Sequence, residues 1–269
     1  MTATLATRVA PLPLAGSKAG LLVERNLMVY RRLWLLIVSG FFEPVFYLFS
    51  IGIGLGALVG TVAGADGRPI GYTAFVAPAL LAASAMNGAV YDATFNIFFK
   101  LKYAKTYDAV LATPLGPADV ARGEIAWAQL RGTIYSAAFL LVMLVMGLVR
   151  SWWALLALPA TVLIGFAFAA VGMAATSFMR SWQDFDFVQL AILPMFLFST
   201  TFYPLGTYPR PLQLFVECTP LYHGIELLRA LSTGAGIGVE LVGHAAYFVV
   251  LAALGISVSA QRLERLLLK

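Results

Sequence analysis

FNIFFKLKYAKTYDAVLATPLGPADVARGE, residues 95–124, is the longest charged interval inside a chain otherwise dominated by apolar runs. In a helix, Tyr103, Tyr107, Val110 and Leu111 share one face, while Lys102, Lys105 and Asp108 lie on another. Thr113 and Pro114 should stop that helix, because the residue before a proline is pushed away from helical angles. Gly116 and Pro117 then open a new helix with proline at its first position, and Asp119 and Glu124 sit near its positive end. The pattern predicts a short amphipathic docking helix over residues 102–115, with an ordinary solvated loop as the alternative.

On both sides of this interval the chain reads as membrane. Of its 269 residues 61% are hydrophobic and 12% charged, whereas soluble domains carry about 25% charged residues. A bilayer core needs roughly 20 apolar residues per helical span. Six stretches approach that length, at 33–58, 72–91, 127–149, 152–178, 185–203 and 241–260. The expected fold class is therefore all-α and polytopic. Residues 1–32 form a cytoplasmic tail with an interfacial helix, and residues 33–269 a six-span domain. Residues 94–124 are its cytoplasmic loop, and residues 204–240 its extracellular segment.

The net charge of +5 follows this topology. With the N-terminus inside, thirteen Lys and Arg residues fall on the cytoplasmic side. Only Arg68, Arg150, Arg210 and Arg229 fall outside, and Arg131 stays unassigned. Both termini are thus expected in the cytoplasm of a multi-pass protein of the cell (inner or plasma) membrane, and the basic balance does not point to nucleic acid. The first apolar run is about 26 residues long, beyond the 7–15 or so of a signal-peptide core, so it is expected to remain. One cysteine, Cys218, leaves no intrachain disulfide.

Several residues interrupt the apolar pattern. Glu43 and Pro44 break the first span; a carboxylate in hydrocarbon is costly, so Glu43 should face protein or water. It either pairs with a group on a neighbouring helix or touches a polar part of a cargo. Gly52, Gly56 and Gly60 recur every four residues and, on a continuous helix, make a smooth packing stripe running on to Gly64. Residues 18–32 suit a helix in the inner headgroup region or a plain flank to the first span. Four prolines punctuate residues 204–240, with Leu212, Phe215 and Val216 and then Leu221, Ile225 and Leu228 suggesting two short helices. Irregular backbone at membrane depth needs protein or a wet cavity beside it. Tyr203, Pro204, Pro220, Glu226 and Arg229, together with Glu43, are therefore candidates for translocation or gating. Trp34, Trp127, Trp152, Trp153 and Trp182 lie near span ends, as in an interfacial belt.

The chain resembles the membrane subunits of type-2 ATP-binding-cassette (ABC-2) exporters, in the branch of nodulation lipo-oligosaccharide exporters and daunorubicin-resistance permeases. The resemblance rests on Glu43-Pro44 followed by YLFSIGIGLG, on TYDAVLATPL, GEIAWAQLRG and SWQDFDF, and on FYPLGTYPRPLQ through PLYHGIELLRAL. It implies the type V permease fold, a second permease copy, and two cytosolic ATPase subunits beneath. TYDAVLATPL matches the family's coupling helix, so Lys102, Lys105, Tyr107, Asp108, Leu111, Thr113, Pro114 and Leu115 are the implied ATPase contacts. Residues 204–231 match the outward re-entrant helices, and residues 18–32 the connecting helix. The implied cargo is an amphiphile: a lipid, lipo-oligosaccharide, glycan or hydrophobic drug.

No G-x-x-x-x-G-K-[ST] phosphate loop occurs, so ATP and Mg are expected on the partner ATPase, with no cofactor, metal or catalytic residue on this chain. His223 and His244 lack the spacing of a helical metal site and read as packing residues. Asp184 and Asp186, two apart, point to different faces of a helix and read as a water-facing inner turn. A proton-coupled transporter using Glu43 or Asp92 is the main alternative, and a lipid-modifying membrane enzyme the second.

Overall fold

Proline and glycine punctuate the helices of the computed structural model, which describes residues 18–32, 42–64 and 67–267. The expected tail, the first part of the first span with Trp34, and Lys269 lie outside those residues. Helix α1 runs Lys18–Arg32 and α2 Phe42–Val59. A hairpin of β1, Thr61–Ala63, and β2, Pro69–Gly71, follows, antiparallel with Val62 opposite Ile70. Helix α3 spans Tyr72–Lys102, α4 Thr106–Leu111, α5 Pro117–Val145 and α6 Trp152–Thr176. Then come α7, Phe185–Phe198, α8, Arg210–Glu217, α9, Pro220–Thr233, and α10, Val239–Leu267.

Among the described residues, five helices are long and apolar enough to cross a membrane, namely α2, α3, α5, α6 and α10. The expected span at 185–203 is shorter. Helix α7 has 14 residues with Pro194 inside it, and the chain then turns through buried Ser199, Thr200 and Thr201. Thr200 adopts a positive φ of 60°, which ends the helix. A single turn at Trp182–Asp184 precedes α7. Asp184 is the cap of that turn: its carboxylate accepts the backbone N–H of Arg180 at 2.6 Å and of Ser181 at 3.1 Å. These two bonds hold its carboxyl below the usual range.

Helix α3 is the hub, buried along most of its length because alanine lets neighbours approach on every side. Ala77, Ala79 and Ala82 have no exposed surface. It packs on α6, α9 and α5, while α10 lies along α6 in the most extensive helix pair. Glycine makes that last pairing possible. A Cβ on Gly255 would stand 2.7 Å from the carbonyl carbon of Ala170 and 2.8 Å from the nitrogen of Val171. Gly255→Val is therefore expected to lower stability by about 1–3 kcal/mol. In thermal unfolding in detergent, Gly243→Ala should not show this loss, since nothing lies within 4 Å of its added carbon.

The glycine stripe of α2 is realised in part. Gly52 is buried, and its carbonyl accepts the Thr73 hydroxyl at 2.6 Å. A Cβ on Gly56 would meet the same hydroxyl at 2.8 Å. Gly60 departs from the expectation: it ends the helix at φ 73° with no neighbour within 4 Å of a Cβ. The stripe cannot continue to Gly64, because the chain has entered the hairpin. Residues Leu48–Leu55 of α2 and Asp92–Asn96 of α3 are wound as wide π turns.

Candidate functional site

Helix α4 is the end of a hairpin made by α3 and α5. Helix α3 continues beyond the expected end at residue 91 as far as Lys102, so much of the expected loop is helical. Lys105 adopts a left-handed conformation, φ 46°, and reverses the chain into α4. Val110 accepts the Thr113 hydroxyl at 2.6 Å. The Gly116 N–H donates to the Asp119 carboxylate at 3.0 Å, and α5 starts at Pro117.

Lys102, Lys105, Asp108, Thr113 and Pro114 are exposed around α4, and Leu111 and Leu115 are half-buried. Tyr107 differs from its expected place among polar surface contacts, being 3% exposed. Its hydroxyl has no hydrogen-bond partner, and burial, followed by the charge of Glu124, pushes the phenol upward in pKa, so it stays neutral. Tyr107 is thus the plug that fastens α4 to the bundle. Tyr103, expected on the same face, is exposed at the end of α3 instead, its ring stacked on Phe99.

Beneath α4 lies a polar knot that joins three helices. Lys100 of α3 donates to both carboxylate oxygens of Glu124 on α5, at 2.9 and 2.7 Å, and Asn26 of α1 donates to Glu124 at 3.4 Å. Deeper in the hairpin, the Arg131 guanidinium of α5 pairs with Asp92 of α3 and donates to the Tyr30 hydroxyl at 2.9 Å. Trp127 packs here against Tyr30, 2% exposed, rather than in an interfacial belt; Trp152 and Trp182 are exposed.

From sequence Glu124 reads only as an acidic group near the start of α5 and Arg131 only as an unassigned charge, yet a signal for the pairing of each exists. Lys100 and Glu124 each stand 12 residues from Ala112, while Asp92 and Arg131 stand 20 and 19 residues from it. In an antiparallel hairpin bent near Ala112 each pair meets at one level, with opposite charges.

A second polar group sits where α7 turns toward α8. Arg229, 4% exposed, pairs with Glu226, donates to the Thr200 carbonyl at 2.8 Å, and lies 3.9 Å from the centre of the Phe75 ring. Arg229, counted from sequence among the outer-side charges and the gating candidates, thus locks α9 to α3 and to the α7 turn. Pro220 begins α9, while Tyr203 is exposed and Pro204 half-buried. His223 and His244, far apart in sequence, are brought together with their Nδ1 atoms 2.8 Å apart, and Tyr247 stacks on His223 at 4.0 Å.

Glu43 belongs to neither group. It lies exposed at the edge of a cavity of about 180 Å³ formed by α2, α3, α5 and α7, with Asn87, Tyr91, Arg131 and Tyr135 on its wall. A larger apolar cavity of about 700 Å³ lies between α3, α6, α7 and α10, with Arg180 and Asp184 at its edge.

Residues 18–232 match the ABC-2 type transporter family. The chain belongs to that family. It is similar to nodulation protein J of Rhizobium leguminosarum bv. viciae, 34% identical over 85% of this chain and 87% of the relative. Nodulation protein J of Sinorhizobium fredii is 35% identical over 91% and 92%, and that of R. leguminosarum bv. trifolii 33% over 91% and 92%. The protein is accordingly a multi-pass membrane permease subunit of an ABC exporter, a transport component rather than an enzyme, and works with an ATPase partner. In this ABC-2 permease the hairpin end with α4 and the Glu124 knot fall within the matched region, as do α8 and nearly all of α9.

Proposed function

We propose that two copies of this permease form the membrane passage of an exporter that moves an amphiphilic molecule outward, driven by two ATPase subunits docked under α4. Both termini and α4 lie on the cytoplasmic side in this reading, with α8 and α9 at the outer end. ATP and Mg bind on the partner. The observation that carries the reading is the construction of α4: a short helix with exposed charges on and beside it, plugged by buried Tyr107 next to the knot in which Glu124 of α5 joins α1 and α3. A displacement of α4 moves Tyr107, whose ring lies close to Glu124 and so to the point where α1, α3 and α5 meet. Lys102, Lys105, Asp108, Thr113 and Pro114 supply the surface for the ATPase, and the motor's nucleotide states bias the passage by binding its conformations unequally.

The test is transport by the permease and its ATPase reconstituted in vesicles. Reversing two of the exposed charges, Lys105→Glu with Asp108→Lys, should lower ATP-dependent transport about tenfold or more through mismatched contact charges, with the permease still folded. Transport equal to the unmodified pair would reject α4 as the docking element. Transport on a proton gradient without the ATPase would reject the motor-driven reading.

A further inference from the structure

We propose that the cavity between α2, α3, α5 and α7 binds the ammonium head of a cationic amphiphile, with Glu43 as counter-charge and ring faces around it; this rests on reading the chain as a permease for amphiphiles. Charge decides the sign. Glu43 has no hydrogen-bond or ion-pair partner among the described residues, and residues 33–41, just before it, contain no Lys, Arg or His. Arg131, the one basic group on the wall, is already committed to Asp92. The site therefore presents one uncompensated carboxylate within the apolar run 33–58, where an isolated charge is costly.

The unpaired acceptors of the wall agree with that sign, while the buried Nε of Arg131 is a donor without a partner. Asn87 Oδ1 is buried with no partner, so it and the Glu43 carboxylate are both acceptors awaiting donors, which a primary ammonium supplies. Tyr47 packs against Phe196 at 5.8 Å, and Tyr91 and Tyr135 complete an aromatic wall. Aromatic faces attract cations most strongly where water is scarce. An anionic head would meet repulsion from Glu43, and an uncharged one would leave the carboxylate uncompensated. The cavity's volume of about 180 Å³ suits a head group, with the chain passing out along the helices.

Binding is measured with radiolabelled dodecylammonium on the full-length permease with its ATPase, in nanodiscs of uncharged galactolipid, without nucleotide and with empty nanodiscs subtracted. Saturable binding is expected, at least about tenfold tighter than for dodecanol, and weakened about tenfold by Glu43→Gln, the loss of one charged hydrogen-bond partner. Asn87→Leu should weaken it severalfold, which keeps the test decisive if Glu43→Gln unfolds. Equal binding of dodecanol, or unchanged affinity in both variants, overturns the proposal. The two readings fail separately. Ammonium binding without ATP-driven movement of the probe leaves the site standing against the export reading, and ATP-driven movement of another amphiphile without ammonium binding does the reverse.

Discussion

Replacing Arg131 with methionine is expected to lower the stability of the folded permease by about 3–5 kcal/mol, the usual cost of stranding one member of a buried ion pair. The side chains of Arg131 and Asp92 are 16% and 7% exposed, so little solvent is available to compensate the carboxylate left behind. The Tyr30 hydroxyl loses its charged donor in the same step. Adding Asp92→Asn should recover most of the loss, because the double variant buries no unpaired charge. Thermal unfolding in detergent measures both. A single variant within about 1 kcal/mol of the parent, as exposed pairs behave, would show that water reaches the pair and that the hairpin of α3 and α5 does not depend on it.

The second large effect is expected at Arg229. Arg229→Met removes the donor to the Thr200 carbonyl, the pair with Glu226 and the contact with the Phe75 ring. A hydrogen bond to a charged group contributes about 1.5–3 kcal/mol, and a desolvated cation–π contact about 2, so the loss should approach about 3–5 kcal/mol. It should also be local. Hydrogen exchange at Ser199–Thr201 is expected to rise well before that of α6 and α10, since the positive-φ turn at Thr200 loses its anchor. Arg229→Lys should rescue little, because an ammonium cannot reproduce the guanidinium fork. Uniform exchange across the bundle would place the anchor of the turn elsewhere, with the buried pair of Ser199 and Thr219 hydroxyls, 2.8 Å apart, as its next candidate.

The class of the fold was legible because lipid imposes a length on apolar helices and proline imposes an edge. The starts of α5 at Pro117 and α9 at Pro220 follow from residues whose backbone chemistry allows few alternatives. What escaped was decided by tertiary geometry. Tyr107 shares a face with Val110 and Leu111 yet is assigned to the ATPase contacts by resemblance, and the room under α4 is filled by its ring. Gly60 keeps the four-residue spacing of Gly52 and Gly56 but serves as the helix end, since only the chain beyond it reveals the turn. Arg131 looked like an unplaced topological charge until the hairpin set it beside Asp92. Glu43, expected to face protein or water, lies at the edge of a cavity, and its neighbours on α3, α5 and α7 became visible only with the helices assembled.

The wide turns in Leu48–Leu55 and Asp92–Asn96 change how these two spans must be read. Each wide turn takes in an extra residue, and one residue of an ordinary helix is ~100° of rotation. Side chains before and after the insertion therefore follow the same period out of phase. No single helical wheel can describe α2, and a residue-by-residue substitution scan along it should show its pattern of sensitive positions jump between Tyr47 and Gly56 rather than repeat evenly.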